Sequence, residues 1–226
     1  MRQIIFVLML LACIVTRAQS ADALYEQGKK LYDDKKYELA YKKLLPAAQK
    51  GHKKAQYRVG RCYDKGHGVE EDNLKAFQWY SKSAAQGFHK AQYQLGRCYK
   101  KGKGVKKDKV KAFQYFSKAA KQGNAKAQFA LGECYFEGKG VAQDKAKAKA
   151  LFLKAISDED DGAEILQYLR ADAADGDEDA IAIKKFIGKW ERASYIDLTR
   201  YTRPPQSPCL GGREDGNENE KRDEHE

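Results

Sequence analysis

Residues 55–90 read AQYRVGRCYDKGHGVEEDNLKAFQWYSKSAAQGFHK, and residues 91–126 read AQYQLGRCYKKGKGVKKDKVKAFQYFSKAAKQGNAK. A third copy, AQFALGECYFEGKGVAQDKAKAKALFLKAI, occupies residues 127–156. The copies align at a fixed offset of 36 residues without a gap. A period of this length is typical of an array in which each unit buries its apolar face against the next one.

Each copy predicts two antiparallel helices joined by a tight turn. In the first copy Ala55, Val59 and Cys62 fall on one helical face, and Ala76 and Ala84 fall on one face of a second helix. We call these two segments the first and second helix of a hairpin. The sequence therefore predicts an all-α protein built from helical hairpins.

The segment between the two helices carries turn signals. Gly66 and Gly68 allow positive φ angles for a tight reversal, and Val69 is placed to fill the gap beneath it. Asp72 is placed to cap the second helix. Gly60, in the middle of the first helix, costs about 1 kcal/mol relative to alanine. Its recurrence in each copy therefore predicts a close approach of two helices.

The repeat divides the chain into four predicted segments. They are a signal peptide at 1–20, a helical repeat domain at 21–156, a degenerate C-terminal helical cap at 157–190 and a disordered polar tail at 191–226. The repeat units are predicted at 21–54, 55–90, 91–126 and 127–156. The N-terminal unit lacks the Gly-x-Gly turn, and an acidic insertion at 157–162 breaks the period.

The N-terminus predicts export. Arg2 precedes an apolar run at 4–15, and small residues follow at Ala18 and Ser20. The run has 12 residues, whereas a membrane-spanning helix needs about 20. Cleavage after Ala18 and cleavage after Ser20 both fit, and lipidation at Cys13 after Leu-Leu-Ala is a third alternative. We expect a periplasmic or secreted protein.

The registered positions resemble the Sel1-like repeats, a branch of the tetratricopeptide-like solenoids. The resemblance implies a right-handed α-solenoid whose first helices line a concave face. It also implies a non-enzymatic adaptor or assembly surface that binds a protein or peptide. Some secreted cysteine-rich relatives carry two cysteines per unit, bridging the helices, and have been linked to β-lactam binding. A β-lactam-binding or β-lactamase-like protein is therefore one alternative.

The cysteines argue against that alternative. Cys62, Cys98 and Cys134 occupy equivalent positions, one per unit. Packed helices lie up to about 10 Å apart, and a disulfide needs Cα atoms within about 7 Å, so these three are predicted to be buried apolar residues rather than partners. Cys209, in the tail, is either a free thiol or a link to another chain.

No catalytic, cofactor or metal motif accompanies the repeats. No serine is followed by lysine three residues later, and there is no Gly-Lys-Ser/Thr phosphate loop. The histidines form no cluster with metal-ligand spacing: His52, His67, His89 and His225. We therefore expect no enzyme, no cofactor and no metal.

Polar residues on the first helices are the candidate partner-binding positions. They lie opposite the apolar face and recur with the repeat: Arg58, Arg61, Lys65, Gln94, Arg97, Lys101, Glu133 and Glu137. Along the array they run from basic to acidic. This gradient predicts an extended peptide or helix with its acidic part over Arg58, Arg61 and Arg97.

The charge distribution offers a further alternative. Residues 21–156 carry 31 Lys and Arg against 13 Asp and Glu, whereas residues 157–226 carry 10 against 19. An outer basic surface is predicted from the second helices and the loop between the middle helices: Lys75, Lys82, Lys111, Lys118, Lys147, Lys154, Lys100, Lys101, Lys103, Lys106, Lys107 and Lys109. This surface would suit an anionic envelope polymer or lipid. No nucleic-acid recognition motif is present, and the acidic segment could instead dock on the basic one.

Overall fold

The computed structural model describes residues 20–188, and within that range the chain is helical with no strand. The N-terminal five helices are α1 (Ala21–Asp33), α2 (Tyr37–Gln49), α3 (Lys53–Lys65), α4 (Asn73–Ala85) and α5 (His89–Lys101). They are followed by α6 (Lys109–Lys121), α7 (Ala125–Glu137), α8 (Lys145–Ile156), α9 (Gly162–Ala174) and α10 (Glu178–Ile187).

Consecutive helices pack against one another along the whole described chain. The pairs α1/α2, α3/α4, α5/α6 and α7/α8 form hairpins, and the first helix of each hairpin packs on the second helix of the preceding one. The core is accordingly divided into successive clusters that each draw on neighbouring helices. The predicted α-solenoid of helical hairpins is confirmed.

The mid-helix glycines lie where the two helices of a hairpin come closest. A Cβ atom on Gly60 would lie 2.6 Å from the ring of Tyr80. A Cβ atom added to Gly96 would lie 2.4 Å from the ring of Phe116, and one added to Gly132 would lie 2.7 Å from the ring of Phe152. These three rings are almost fully buried. The predicted close approach is confirmed, because any larger residue would occupy the space of the facing ring.

The turns and caps follow the repeated sequence. The first helices α3, α5 and α7 each end at a glycine with positive φ: Gly66, Gly102 and Gly138. An aspartate begins each second helix by accepting a hydrogen bond from the backbone N–H three residues later: Asp72, Asp108 and Asp144, at 2.8, 2.9 and 2.9 Å. The predicted capping role of Asp72 is confirmed.

Removing one cap gives a first test of this local structure. Asp108→Ala should lower the free energy of unfolding by about 1 kcal/mol, because the N–H of Lys111 then loses its acceptor at the start of α6. Asp108→Asn should recover most of the loss, since an asparagine oxygen also caps. Urea unfolding followed by circular dichroism measures both; equal losses for the two variants would contradict the capping role.

Two helices lie in the segment predicted as a degenerate cap, α9 and α10. No helix between residues 20 and 188 is long and apolar enough to cross a membrane. The predicted signal segment up to residue 19, with Cys13 and Ala18, lies outside the described residues. So do Cys209, His225 and the tail predicted at 191–226.

Candidate functional site

The first helices of three successive hairpins, α3, α5 and α7, together with α9, surround one cavity of about 460 Å³. Its walls come from α3, α5, α7 and α9, and the ring of Phe116 on α6 forms part of its floor. We call it the first-helix cavity. At the mid-helix glycines each second helix packs against one face of its first helix. The opposite face of the first helices is left open and lines the cavity.

Six of the eight predicted partner-binding residues line the first-helix cavity: Arg61, Lys65, Gln94, Arg97, Lys101 and Glu133. The other two are placed elsewhere. Arg58 donates a hydrogen bond from Nη1 to Asp33 Oδ1 at 3.2 Å, and its guanidinium lies 5.1 Å from the centre of the Tyr32 ring.

Glu137 lies in a neighbouring cavity of about 310 Å³. Its carboxylate forms an ion pair with Lys139. The acidic end of the predicted gradient is therefore already neutralised. Glu133 is likewise paired, since Lys100 Nζ donates to its Oε2 at 2.6 Å. Both glutamates at the acidic end of the predicted gradient therefore have a lysine partner, Lys100 for Glu133 and Lys139 for Glu137.

The positions of Lys100 and Lys101 differ from the predicted outer basic surface. The sequence placed Lys100 on an outer basic surface only and Lys101 both there and among the partner-binding positions, and both line the first-helix cavity. The reason is that α5 continues to Lys101, so both side chains belong to the last turn of a first helix rather than to the following loop. Burial alone would lower the pKa of Lys100, but the attraction and hydrogen bond of Glu133 outweigh it and raise that pKa.

An aromatic row was missed by the sequence reasoning. Tyr57, Tyr93 and Phe129 occupy equivalent positions in the three copies and all line the first-helix cavity. Their rings rest on the buried rings behind them, with Tyr93 5.9 Å from Phe116 and Phe129 5.0 Å from Phe152 between ring centres. Their 36-residue spacing was the available signal.

The acidic C-terminal segment closes one end of this wall. Lys126 lies 3.3 Å from an Asp161 oxygen and 2.7 Å from a Glu164 oxygen, and all three residues line the first-helix cavity. Outside the cavity, Lys139 lies 3.3 Å from Asp179. These contacts bring part of the acidic segment onto the basic repeats. This agrees with the alternative in which the acidic segment docks on the basic one.

The lysine at the third position of each of the second helices α4, α6 and α8 makes local contacts. Lys75, Lys111 and Lys147 pair with the cap aspartates at 3.1, 3.7 and 3.0 Å. Each also lies over a tyrosine ring, at 5.5, 5.4 and 5.6 Å from the ring centre. Part of the predicted outer basic surface therefore makes contacts within its own repeat.

The described cysteines offer no activated nucleophile. Cys62, Cys98 and Cys134 are buried and free, which confirms their predicted burial. Burial raises the pKa of Cys62 and Cys98 to about 11 and that of Cys134 to about 12. The thiols are therefore protonated at neutral pH. Among residues 20–188 no group of three or more His, Cys, Asp or Glu side chains is arranged to hold a metal ion.

Comparison with known families gives a consistent result. The Sel1 repeat family model matches residues 53–88, 89–124 and 125–160. These matches cover the hairpins α3/α4, α5/α6 and α7/α8. No curated protein matches the chain.

Solved structures include two informative relatives. A Sel1 repeat protein from Oxalobacter formigenes is 34% identical, with a TM-score of 0.56, over 75% of this chain and 77% of the other. The second is c5321, a protective antigen present in uropathogenic Escherichia coli strains that displays an SLR fold. It is 26% identical, with a TM-score of 0.60, over 86% of this chain, and this chain spans about half of it, 52%.

Proposed function

Because this chain belongs to the Sel1 repeat family, we propose that it is a scaffold that binds a polypeptide partner in the first-helix cavity. Members of the family are typically non-enzymatic scaffolds for protein interactions. The observation that carries the choice of surface is the cavity itself, which the three first helices α3, α5 and α7 share with α9. We include export in the proposal, supported by Arg2 and the apolar run at 4–15.

The lining of the cavity suits a polypeptide. Ligand sites combine apolar and aromatic walls with a few polar groups that fix orientation, in volumes of roughly 300–1,000 Å³. Here the aromatic row supplies contact area, and Gln94 and Arg97 supply hydrogen-bonding groups on the middle helix α5. Their side chains already contact each other, with Arg97 Nη1 donating to Gln94 Oε1 at 3.1 Å.

Filling the cavity should abolish binding. We expect Gln94→Trp to weaken peptides selected against the full chain from a random displayed library by about tenfold or more, since the indole would occupy the partner's space. Isothermal titration calorimetry with synthetic peptides measures the change.

The matched control is Gln114→Trp. Gln114 has the same side chain and is exposed on the second helix α6, outside the cavity. Its replacement should leave the affinity unchanged. Equal affinities for the two variants and the natural chain would place binding elsewhere and contradict the proposed site, as would a selection that yields no binding peptide.

A further inference from the structure

We propose that the α3–α5 part of the first-helix cavity recognises an acidic peptide segment, whose carboxylates lie between Arg61 and Arg97 and beside Lys65 and Lys101. This inference rests on the proposed function and names the chemistry of the partner. It differs from the sequence-based expectation in two ways: Arg58 takes no part because it pairs with Asp33, and Glu133 and Glu137 already have lysine partners.

The carboxylates of the cavity wall are already committed. Glu133 pairs with Lys100, and Asp161 and Glu164 pair with Lys126. The fourth, Asp64, lies 3.6 Å from Lys103. Each of the four carboxylates that line the cavity therefore already has a lysine partner.

Five cations of the same wall have no acidic partner within ion-pair distance among residues 20–188: Arg61, Lys65, Lys90, Arg97 and Lys101. Four of them come from the last two turns of α3 and α5, at equivalent positions of two neighbouring repeats. Burial, followed by the charges of Arg97 and Lys100, lowers the pKa of Lys101. Such like charges repel one another until an anion is bound.

The fixed carboxylates favour a peptide over a continuous polyanion. Asp161 and Glu164 share one lysine partner, Lys126, so this end of the wall keeps an excess negative charge that would repel the regular phosphates of a nucleic acid. A peptide places its side chains on alternate faces, so its carboxylates can meet the basic part while uncharged residues contact the aromatic row. The bound segment is therefore expected to be acidic only over α3 and α5.

The same displayed library tests the inference. Peptides that bind the full chain should be enriched in Asp and Glu over the unselected library. In the tightest peptide, changing Asp and Glu to Asn and Gln should weaken binding about tenfold or more, because charge-assisted hydrogen bonds are lost. The variant Arg61→Gln/Arg97→Gln should bind the acidic peptide about as weakly as the natural chain binds the neutral one.

A matched pair of lysines separates a specific site from general attraction. Lys101 lines the cavity, whereas Lys118 is exposed on α6. Lys101→Gln should weaken the acidic peptide severalfold, and Lys118→Gln should leave it unchanged at 150 mM salt, where charges more than about 8 Å apart are screened.

The outcomes distinguish this inference from the proposed function. Peptides that are blocked by Gln94→Trp but show no acidic enrichment would overturn the inference and leave the cavity as the binding site. Equal weakening by Lys101→Gln and Lys118→Gln would also overturn it. So would tighter binding of a dT20 oligonucleotide than of the acidic peptide, with the same dependence on Arg61 and Arg97.

Discussion

Replacing Phe152 by alanine should lower the free energy of unfolding by about 3–5 kcal/mol, the usual cost of deleting a large ring from a packed core. Phe152 has no exposed surface, and its ring meets Phe129 at 5.0 Å and Phe136 at 6.3 Å between centres. It also fills the space in front of Gly132. Both helices of the α7/α8 hairpin therefore lose their contact in this variant.

Urea unfolding and amide hydrogen exchange measure this effect. Because each hairpin contacts only its neighbours, the faster exchange should be concentrated in α7 and α8 rather than in α1 and α2. Phe152→Leu should cost less, since leucine fills part of the space. Leu153→Ala, at the half-buried next position, should cost about 1 kcal/mol. Equal losses for Phe152→Ala and Leu153→Ala would contradict the packing described here.

Gly104→Ala should lower the free energy of unfolding by about 2–5 kcal/mol, because two costs add. The φ angle of Gly104 is +67°, which an alanine adopts only with strain, and a Cβ atom there would lie 2.0 Å from the carbonyl oxygen of Asn73. Asn73 is the first residue of α4, so the turn of one hairpin touches the second helix of the preceding hairpin. The substitution would force the two repeats apart.

Gly102 provides the control within the same turn. Its φ angle is +76°, but a Cβ atom would meet nothing closer than Lys107 Cβ at 3.5 Å. Gly102→Ala should therefore cost only the conformational strain, about 1–2 kcal/mol. Denaturant unfolding of both variants gives the difference, which isolates the contact between repeats. A Gly102→Ala variant as unstable as Gly104→Ala would refute that contact.

Much of the fold was predictable because it depends on short-range sequence signals. The 36-residue period located the hairpins, and the mid-helix Gly60 predicted its close contact with the second helix, now seen as the Tyr80 ring. Asp72 and the positive φ of Gly66 were predicted from general rules for caps and turns. Caps and turns act within a few residues, and the period shows the same signals in three registered copies, so one sequence suffices to read them.

The site was less predictable because it depends on pairs far apart in the chain. Arg58 and Asp33 are 25 residues apart, and Lys100 and Glu133 are 33 apart. No local pattern indicates these contacts. The α9 wall, with Asp161 and Glu164, follows an insertion that breaks the repeat period, so its position could not be extrapolated from the preceding copies.

The central claim is that the first helices, and not the second helices, form the partner-binding surface. The most direct measurement places a photoreactive benzoylphenylalanine in a library-selected peptide, cross-links it to the full chain and maps the modified residues by mass spectrometry. We predict adducts on α3, α5 and α7, at or beside Tyr57, Tyr93 and Phe129. Adducts concentrated on the second helices, around Trp79 and Tyr115, would contradict the claim.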